Sequence, residues 1–204
     1  MNRQGRPSRV RIIGGAWRRR WLPVAPVPGL RPSADAQRET LFNWLQPLLH
    51  DAAVLDLFAG TGALGLEAAS RGAASVLLVE KSPPAARQLE ANRAALGAEQ
   101  VTVRQGDALR LLAQGRRASG LGPFTLVFVD PPFGKGLVAP ALQALVAGDW
   151  LVPDARVYVE QETSLLAPAG WTVLRERTGG QARGLLLQRD SVATVELEAP
   201  GGVG

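Results

Sequence analysis

The sequence predicts an α/β fold of the doubly wound, Rossmann-like kind. It is a mostly parallel seven-stranded sheet with an antiparallel hairpin at its C-terminal edge, preceded by an N-terminal β-hairpin arm. Three observations predict it. Short apolar runs alternate with helical segments from residue 53 onward. The runs are continuously apolar, as in parallel strands covered on both faces. The last two runs follow one another with no helix between them.

Taken in order, "RVRIIGGAWRRRWLPV" (9–24) reads as two short strands around Gly14-Gly15, a hairpin signal. Val10, Ile12 and Ile13 fall in the first strand; Trp17, Trp21 and Leu22 fall in the second, among arginines. "APVPGLRP" is a Pro/Gly linker, after which Ser33 is placed to cap a helix. Leu41, Leu45 and Leu48 or Leu49 line one face of that helix. The core strands are "AVLDLF" (53–58), "SVLLVE" (75–80), "VTVRQGD" (101–107), "FTLVFVD" (124–130) and "RVYVEQE" (156–162), closed by "WTVLRER" and "ARGLLLQRD". Helices are expected over 64–70, over 83–97 with proline near its start and Gly97 past its end, briefly after Asp107, and over 137–146. The insertion 113–123 is read as a flexible loop, with RNA contact through Arg116 and Arg117 as the alternative, and the tail 191–204 is expected to be disordered. No internal repeat is evident.

The charge is uneven. Residues 1–38 hold nine arginines against one acid, Asp35, a balance of +8 within a chain of net +5. A basic arm on a mildly acidic body suits a polyanion, and nucleic acid above all; a solvated terminal tail is the plainer reading. The absence of cysteine excludes disulfides, thiolate metal sites and thiol nucleophiles. A single histidine, His50, excludes a multi-histidine zinc site, and its place before the first core strand points to no catalytic role. No metal is expected. No apolar run approaches the roughly 20 residues of a membrane span, and no apolar stretch follows the Arg-rich start as in a secretory signal. The expected setting is a cytoplasmic monomer.

Ligands of doubly wound sheets bind beyond the carboxyl ends of the strands. The first four core strands end at or near Asp56, Glu80, Asp107 and Asp130, so four acids fall along one rim. "DLFAGTGALGLE" (56–67) adds the G-x-G-x-x-G of Gly60, Gly62 and Gly65, which permits a tight turn and close backbone approach to a ligand. Alone, that motif also fits a dinucleotide site or an ordinary βα turn. Asp56, however, lies in the strand four residues before Gly60, where a pyrophosphate would be unwelcome. A cofactor with no phosphate and a cationic amino-acid end fits better, and S-adenosylmethionine is one. Asp56 and the loop would hold its methionine part, Glu80 its ribose and Asp107 its adenine amino group. Asp107 also reads as a helix N-cap, and the two roles are compatible.

"LVFVDPPFGKG" (126–136) then gains a purpose. An exocyclic amino group is a poor nucleophile because its lone pair is delocalised into the base. Accepting its hydrogens from two directions exposes that lone pair. Asp130 is one acceptor; the Pro131 carbonyl, held rigid by Pro132, is the other. Phe133 would stack on the base, which must be splayed out of its own stack. Positioning and charge supply the rest.

These residues resemble the amino-group methyltransferases with a (D/N)-P-P-(F/Y/W) corner. More narrowly, the chain resembles the bacterial 16S rRNA guanine-N2 methyltransferases of the RsmD family. The segments "RIIGGAWRRRWLPV", "GLRPSADAQRETLFNWL", "LDLFAGTGALGLEAASRGA", "VFVDPPF" and "YVEQE" carry the resemblance over roughly residues 9–189. It implies a class I S-adenosylmethionine-dependent methyltransferase fold, that cofactor as methyl donor, and a guanine of 16S rRNA in an assembling or assembled 30S subunit as acceptor. It also implies three regions: a basic arm (1–30), a methyltransferase domain (31–190) and the tail. The implied catalytic residues are Asp130, Pro131, Pro132 and Phe133. The implied cofactor-side residues are Asp56, Phe58, Ala59, Gly60, Thr61, Gly62, Glu80, Lys81, Asp107, Ala108 and Asp130, joined by Arg31, Arg38, Thr40 and Asn43 from the helix before the glycine loop. A solvated helix face is the alternative for Arg38 and Glu39. The implied RNA contacts are Arg9, Arg11, Arg18, Arg19 and Arg20.

Three other readings compete. An adenine-N6 methyltransferase on DNA or RNA shares the D-P-P-F corner, and only the resemblance separates it. An NAD-type dehydrogenase accounts for the glycines and leaves D-P-P-F unexplained. A non-catalytic RNA-binding assembly factor accounts for the arm but not for four acids on one rim.

Overall fold

The computed structural model describes residues 8–27 and 35–190. The expected cap at Ser33, the cofactor-side Arg31 and the 191–204 tail lie outside those residues. The hairpin is formed by β1 (Arg9–Arg11) and β2 (Trp21–Pro23), antiparallel with Val10 opposite Leu22. Helix α1 (Asp35–Leu49) leads into β3 (Ala53–Asp56), α2 (Gly65–Ser70), β4 (Ser75–Glu80), α3 (Pro83–Leu96) and β5 (Val101–Gln105). Next come α4 (Ala108–Ala113), α5 (Arg116–Ser119), β6 (Phe124–Val129), α6 (Val138–Ala147), β7 (Leu151–Glu162), β8 (Trp171–Gly179) and β9 (Ala182–Arg189).

The seven-stranded sheet has the order β5-β4-β3-β6-β7-β9-β8. β3, β4, β5, β6 and β7 run parallel, so their carboxyl ends share one rim; β9 runs antiparallel to both β7 and β8. Side-chain alternation sorts the strand residues to two faces. Val54, Leu78, Phe128 and Tyr158 face one core with α1, α2 and α3. Leu55, Val79, Val129 and Val159 face the other with α4 and α6. In α1, Leu41, Leu45 and Leu49 are the buried stripe, while Leu48 is exposed.

Two expectations are corrected. The strands do not meet at Gly14-Gly15 as expected: β1 ends at Arg11, so Ile12 and Ile13 lie past it, and a 3-10 turn, Gly15–Trp17, takes Trp17 out of the second strand. The cause is docking. A Cβ on Gly15 would lie 1.8 Å from the Ser70 carbonyl oxygen, so glycine here lets backbone meet backbone at the end of α2. The 113–123 insertion is not a bare loop: α5 is one helical turn, pinned by the Arg116 guanidinium to Asp149 Oδ2 at 2.7 Å and to its carbonyl at 2.8 Å. It precedes β6 and so lies at the end of the sheet opposite the acidic rim.

Candidate active site

A pocket of about 750 Å³ opens over the shared rim. Asp56, Glu80, Asp107, Asp130 and Glu160, one acid from the end of each parallel strand, all line it. The order of the sheet reverses between β3 and β6, so the pocket sits at the switch point of the topology.

Asp56 is the most deeply buried of these acids. Its Oδ2 accepts from the Gly65 N–H at 3.0 Å, while its Oδ1, also buried, has no hydrogen-bond partner among the described residues. Burial pushes the carboxyl up to about 7; the Gly65 N–H opposes that rise, the nearby charge of Glu80 adds to it, and the Phe58 N–H opposes it. Gly62 has φ +78°, and a Cβ there would strike Leu89 and Leu66. Gly62 therefore shapes the loop from behind, while Phe58, Ala59, Gly60 and Thr61 line the pocket. Glu80 fastens the loop from the next strand: Oε2 accepts from Gly60 N–H at 2.8 Å and Oε1 from Ser82 N–H at 2.6 Å.

Asp107 does two jobs. Oδ1 caps α4 by accepting from Arg110 N–H at 3.1 Å, and Oδ2 pairs with the Lys81 ammonium at 3.0 Å. Those bonds, Lys81's first, hold its carboxyl below the usual carboxylate range. Lys81, Asp107, Ala108 and Leu109 line one wall.

Asp130 stands across the pocket with Pro131, Pro132 and Phe133. Pro131 is buried and Phe133 exposed, so the corner's base is fixed and its ring is open at the mouth. The following turn is tied down by Glu162, which accepts from the Gly134 N–H. The Asp130 carboxyl is pushed well up, mainly by burial, then by the charges of Glu160 and Asp56, with Arg177 opposing.

Glu160 was not among the expected site residues. It is 7% exposed and accepts from the Tyr158 hydroxyl at 2.6 Å and from the Arg177 guanidinium, both at Oε1. The signal was present: the rim rule, extended to the fifth strand, points to "VEQE". Lys135, Leu137 and Val27 also line the pocket without having been singled out.

Some expected residues are elsewhere. Thr40 and Asn43 lie on the exposed face of α1, outside the pocket wall; Thr40 bonds the Ala36 carbonyl. Arg38 is neither solvated nor at the pocket. It is buried under the hairpin, donating to the Arg11 carbonyl at 2.8 Å and to Asp35 at 2.6 Å. His50 is exposed beside Asp51, before β3.

The hairpin is part of the core. Val10, Ile12, Leu22 and Val24 join the cluster around α1, α2 and α3. Beneath it, buried Glu67 accepts from the Ile13 and Gly14 N–H groups at 2.7 and 2.8 Å and from Arg71 at 2.7 Å. Asn92 donates to the Pro23 carbonyl at 3.0 Å. Arg11 is held by Asp35 at 2.7 Å. Arg9, Arg18, Arg19 and Arg20 are exposed and make no ion pair among the described residues.

The donor set tests the expected cofactor. A pyrophosphate at the glycine loop would meet Asp56, whose carboxylate already occupies the Gly65 N–H, the first of α2. A cationic group instead finds the unpartnered Oδ1 and a floor of acids, and relieves their mutual repulsion. The residues fit S-adenosylmethionine.

A sheet of this order, with a glycine loop after its first strand and a D-P-P-F corner after its fourth, defines the Rossmann-like class I methyltransferase fold. Residues 10–188 match the family described as Conserved hypothetical protein 95, and the chain belongs to the RsmD family. Ribosomal RNA small subunit methyltransferase D of Escherichia coli K12 is 46% identical over 187 residues, which cover 90% of this chain and 92% of that protein. Its Haemophilus influenzae namesake is 44% identical over 175 residues, 84% of this chain and 89% of that protein. The solved Escherichia coli protein yhhF superposes with a TM-score of 0.80 at 46% identity, covering 90% of this chain and 99% of that one.

Proposed function

We propose that this protein methylates the exocyclic N2 amino group of a guanine in small-subunit rRNA, with S-adenosylmethionine as donor. The observation that carries the reading is the row of acids along the rim, with the buried Asp56 oxygen unpartnered among the described residues, in one pocket with a rigid D-P-P-F corner. The names of the relatives support rRNA as the substrate.

Asp56 and the glycine loop bind the cofactor's amino-acid end, Glu80 its ribose, and Asp107 with Ala108 its adenine. When bound, the cofactor supplies a methyl group on a sulfonium, which leaves as a neutral thioether. Asp130 and the Pro131 carbonyl accept the two amino hydrogens and expose the nitrogen lone pair. As the N–C bond forms, the surplus proton passes to Asp130, whose burial favours the protonated carboxyl. Phe133 stacks on the splayed base, and Arg9, Arg18, Arg19 and Arg20 hold phosphate.

The test is transfer of labelled methyl to 30S particles lacking the modification, beside naked 16S rRNA and DNA, with nucleoside analysis. N2-methylguanosine is expected; N6-methyladenine overturns the guanine assignment. Asp130→Ala is expected to lower kcat by about a hundredfold to a thousandfold while RNA binding, measured by filter retention, survives. An Asp130→Ala protein with full activity overturns the mechanism.

A further inference from the structure

D-P-P-F alone does not distinguish guanine from adenine; a group placed beside the amino group does. The two bases differ next to the amino group: guanine carries the N1–H donor, whereas adenine's amino group is flanked by the lone pairs of N1 and N7. An acceptor at that point selects guanine twice, by bonding N1–H and by repelling a lone pair.

Glu160 is an acceptor on the strand beside the corner. It lines the pocket on the strand next to β6, near enough to Asp130 for its charge to act on that carboxyl. Its Oε1 is taken by Tyr158 and Arg177, while Oε2 has no hydrogen-bond partner among the described residues, and the residue lines the pocket. The arrangement crosses three strands. Glu160 of β7 pairs with Gly184 of β9, and Gly184 pairs with Arg177 of β8. A Cβ on Gly184 would lie 2.4 Å from the Tyr158 hydroxyl oxygen and 3.1 Å from Arg177 Nε. Only the missing side chain lets Arg177 reach over β9 to the acid. The Tyr158 hydroxyl, whose pKa burial raises, remains protonated and keeps donating.

Building on the proposed function, we propose that Glu160 is a specificity residue of the acceptor site, its Oε2 accepting the N1–H of the target guanine. The amino group would then be held by Asp130 and Pro131, and the neighbouring ring nitrogen by Glu160.

Glu160→Gln tests this without changing the residue's shape. Tyr158 and Arg177 both donate at Oε1, so they hold the amide oxygen, and the NH₂ turns to the pocket. A donor then faces guanine N1–H and complements an adenine lone pair. The substrates are 30S particles with the target guanine, and the same particles with adenine at that position. The expected result is a fall of roughly ten- to a hundredfold in kcat/KM for guanine, with transfer to adenine unchanged or raised, and with calorimetric affinity for S-adenosylmethionine unchanged. An equal fall on both particles, or full activity on guanine, overturns the inference. Should Glu160→Gln fail to fold, Tyr158→Phe decides: it removes one of the two donors at Oε1 and loosens the carboxylate, so selectivity for guanine should drop, and retained selectivity overturns the inference. Wild-type protein that leaves guanine unmethylated sinks the parent reading itself, and is distinguished by needing no variant.

Discussion

The seam under the hairpin and the floor of the pocket use the same material to different ends. Glu67 and Asp56 are both fully buried carboxylates on the segment that carries the glycine loop. Both oxygens of Glu67 are occupied, by two backbone N–H groups and Arg71. Asp56 keeps one oxygen bonded to Gly65 and the other unpartnered. A buried polar group left unsatisfied is costly, so the first acid is architecture and the second is an opening for a ligand.

The contrast breaks most visibly at Glu67. Glu67→Ala leaves Arg71 and two N–H groups without their acceptor and should destabilise the fold by about 3–5 kcal/mol, read as a lower midpoint in urea unfolding. An unchanged midpoint would mean that the seam is solvated.

Asp56→Asn should act in the opposite sense. The folded-state pKa of Asp56, about 7, lies above its ordinary 3.8. The folded state therefore holds an extra proton between those values, and the associated stability is full below about pH 4 and lost as pH rises through about 7. That loss is of order 4 kcal/mol. Asparagine, neutral throughout, should flatten this part of the pH dependence and raise the melting temperature of the cofactor-free protein at pH 8. Affinity for S-adenosylmethionine should fall about ten- to a hundredfold, the worth of one charged hydrogen bond, by calorimetry. A variant that is both less stable at pH 8 and equally tight in binding would erase the distinction from Glu67.

The smallest effect belongs to the outer surface of the hairpin. Changing Arg18, Arg19 and Arg20 to Gln leaves the seam untouched and should flatten the salt dependence of RNA affinity by a slope of up to about 2–3 units. The thermal midpoint should not move. An unchanged slope removes these arginines from the RNA interface.

Much of this was legible in the sequence, because parallel strands write their period and their end points plainly. Asp56, Glu80, Asp107 and Asp130 could be placed on one rim from strand ends alone, and the structure brings them to one pocket. Relations across distant segments were not legible. Arg38 shows no local sign that Arg11 and Asp35 will bury it. The spacing of Gly14-Gly15 suits a turn, and only the approach of Ser70 shows its other use. Thr40 and Asn43 were placed through a resemblance, whereas the turn of α1 sends them to the exposed side. Glu160 was missed although it obeys the same rim rule, because its strand runs on through Gln161 and Glu162 and does not end at the acid.

The docked hairpin also bears on how the chain is made. Domains tend to fold from the N-terminus as they are synthesised. Here Ile13 must wait for Glu67, 54 residues later, and Pro23 for Asn92, 69 residues later. These two strands therefore cannot complete their docking until Asn92 has been made, and until then their arginines lie on a segment not yet anchored to the core.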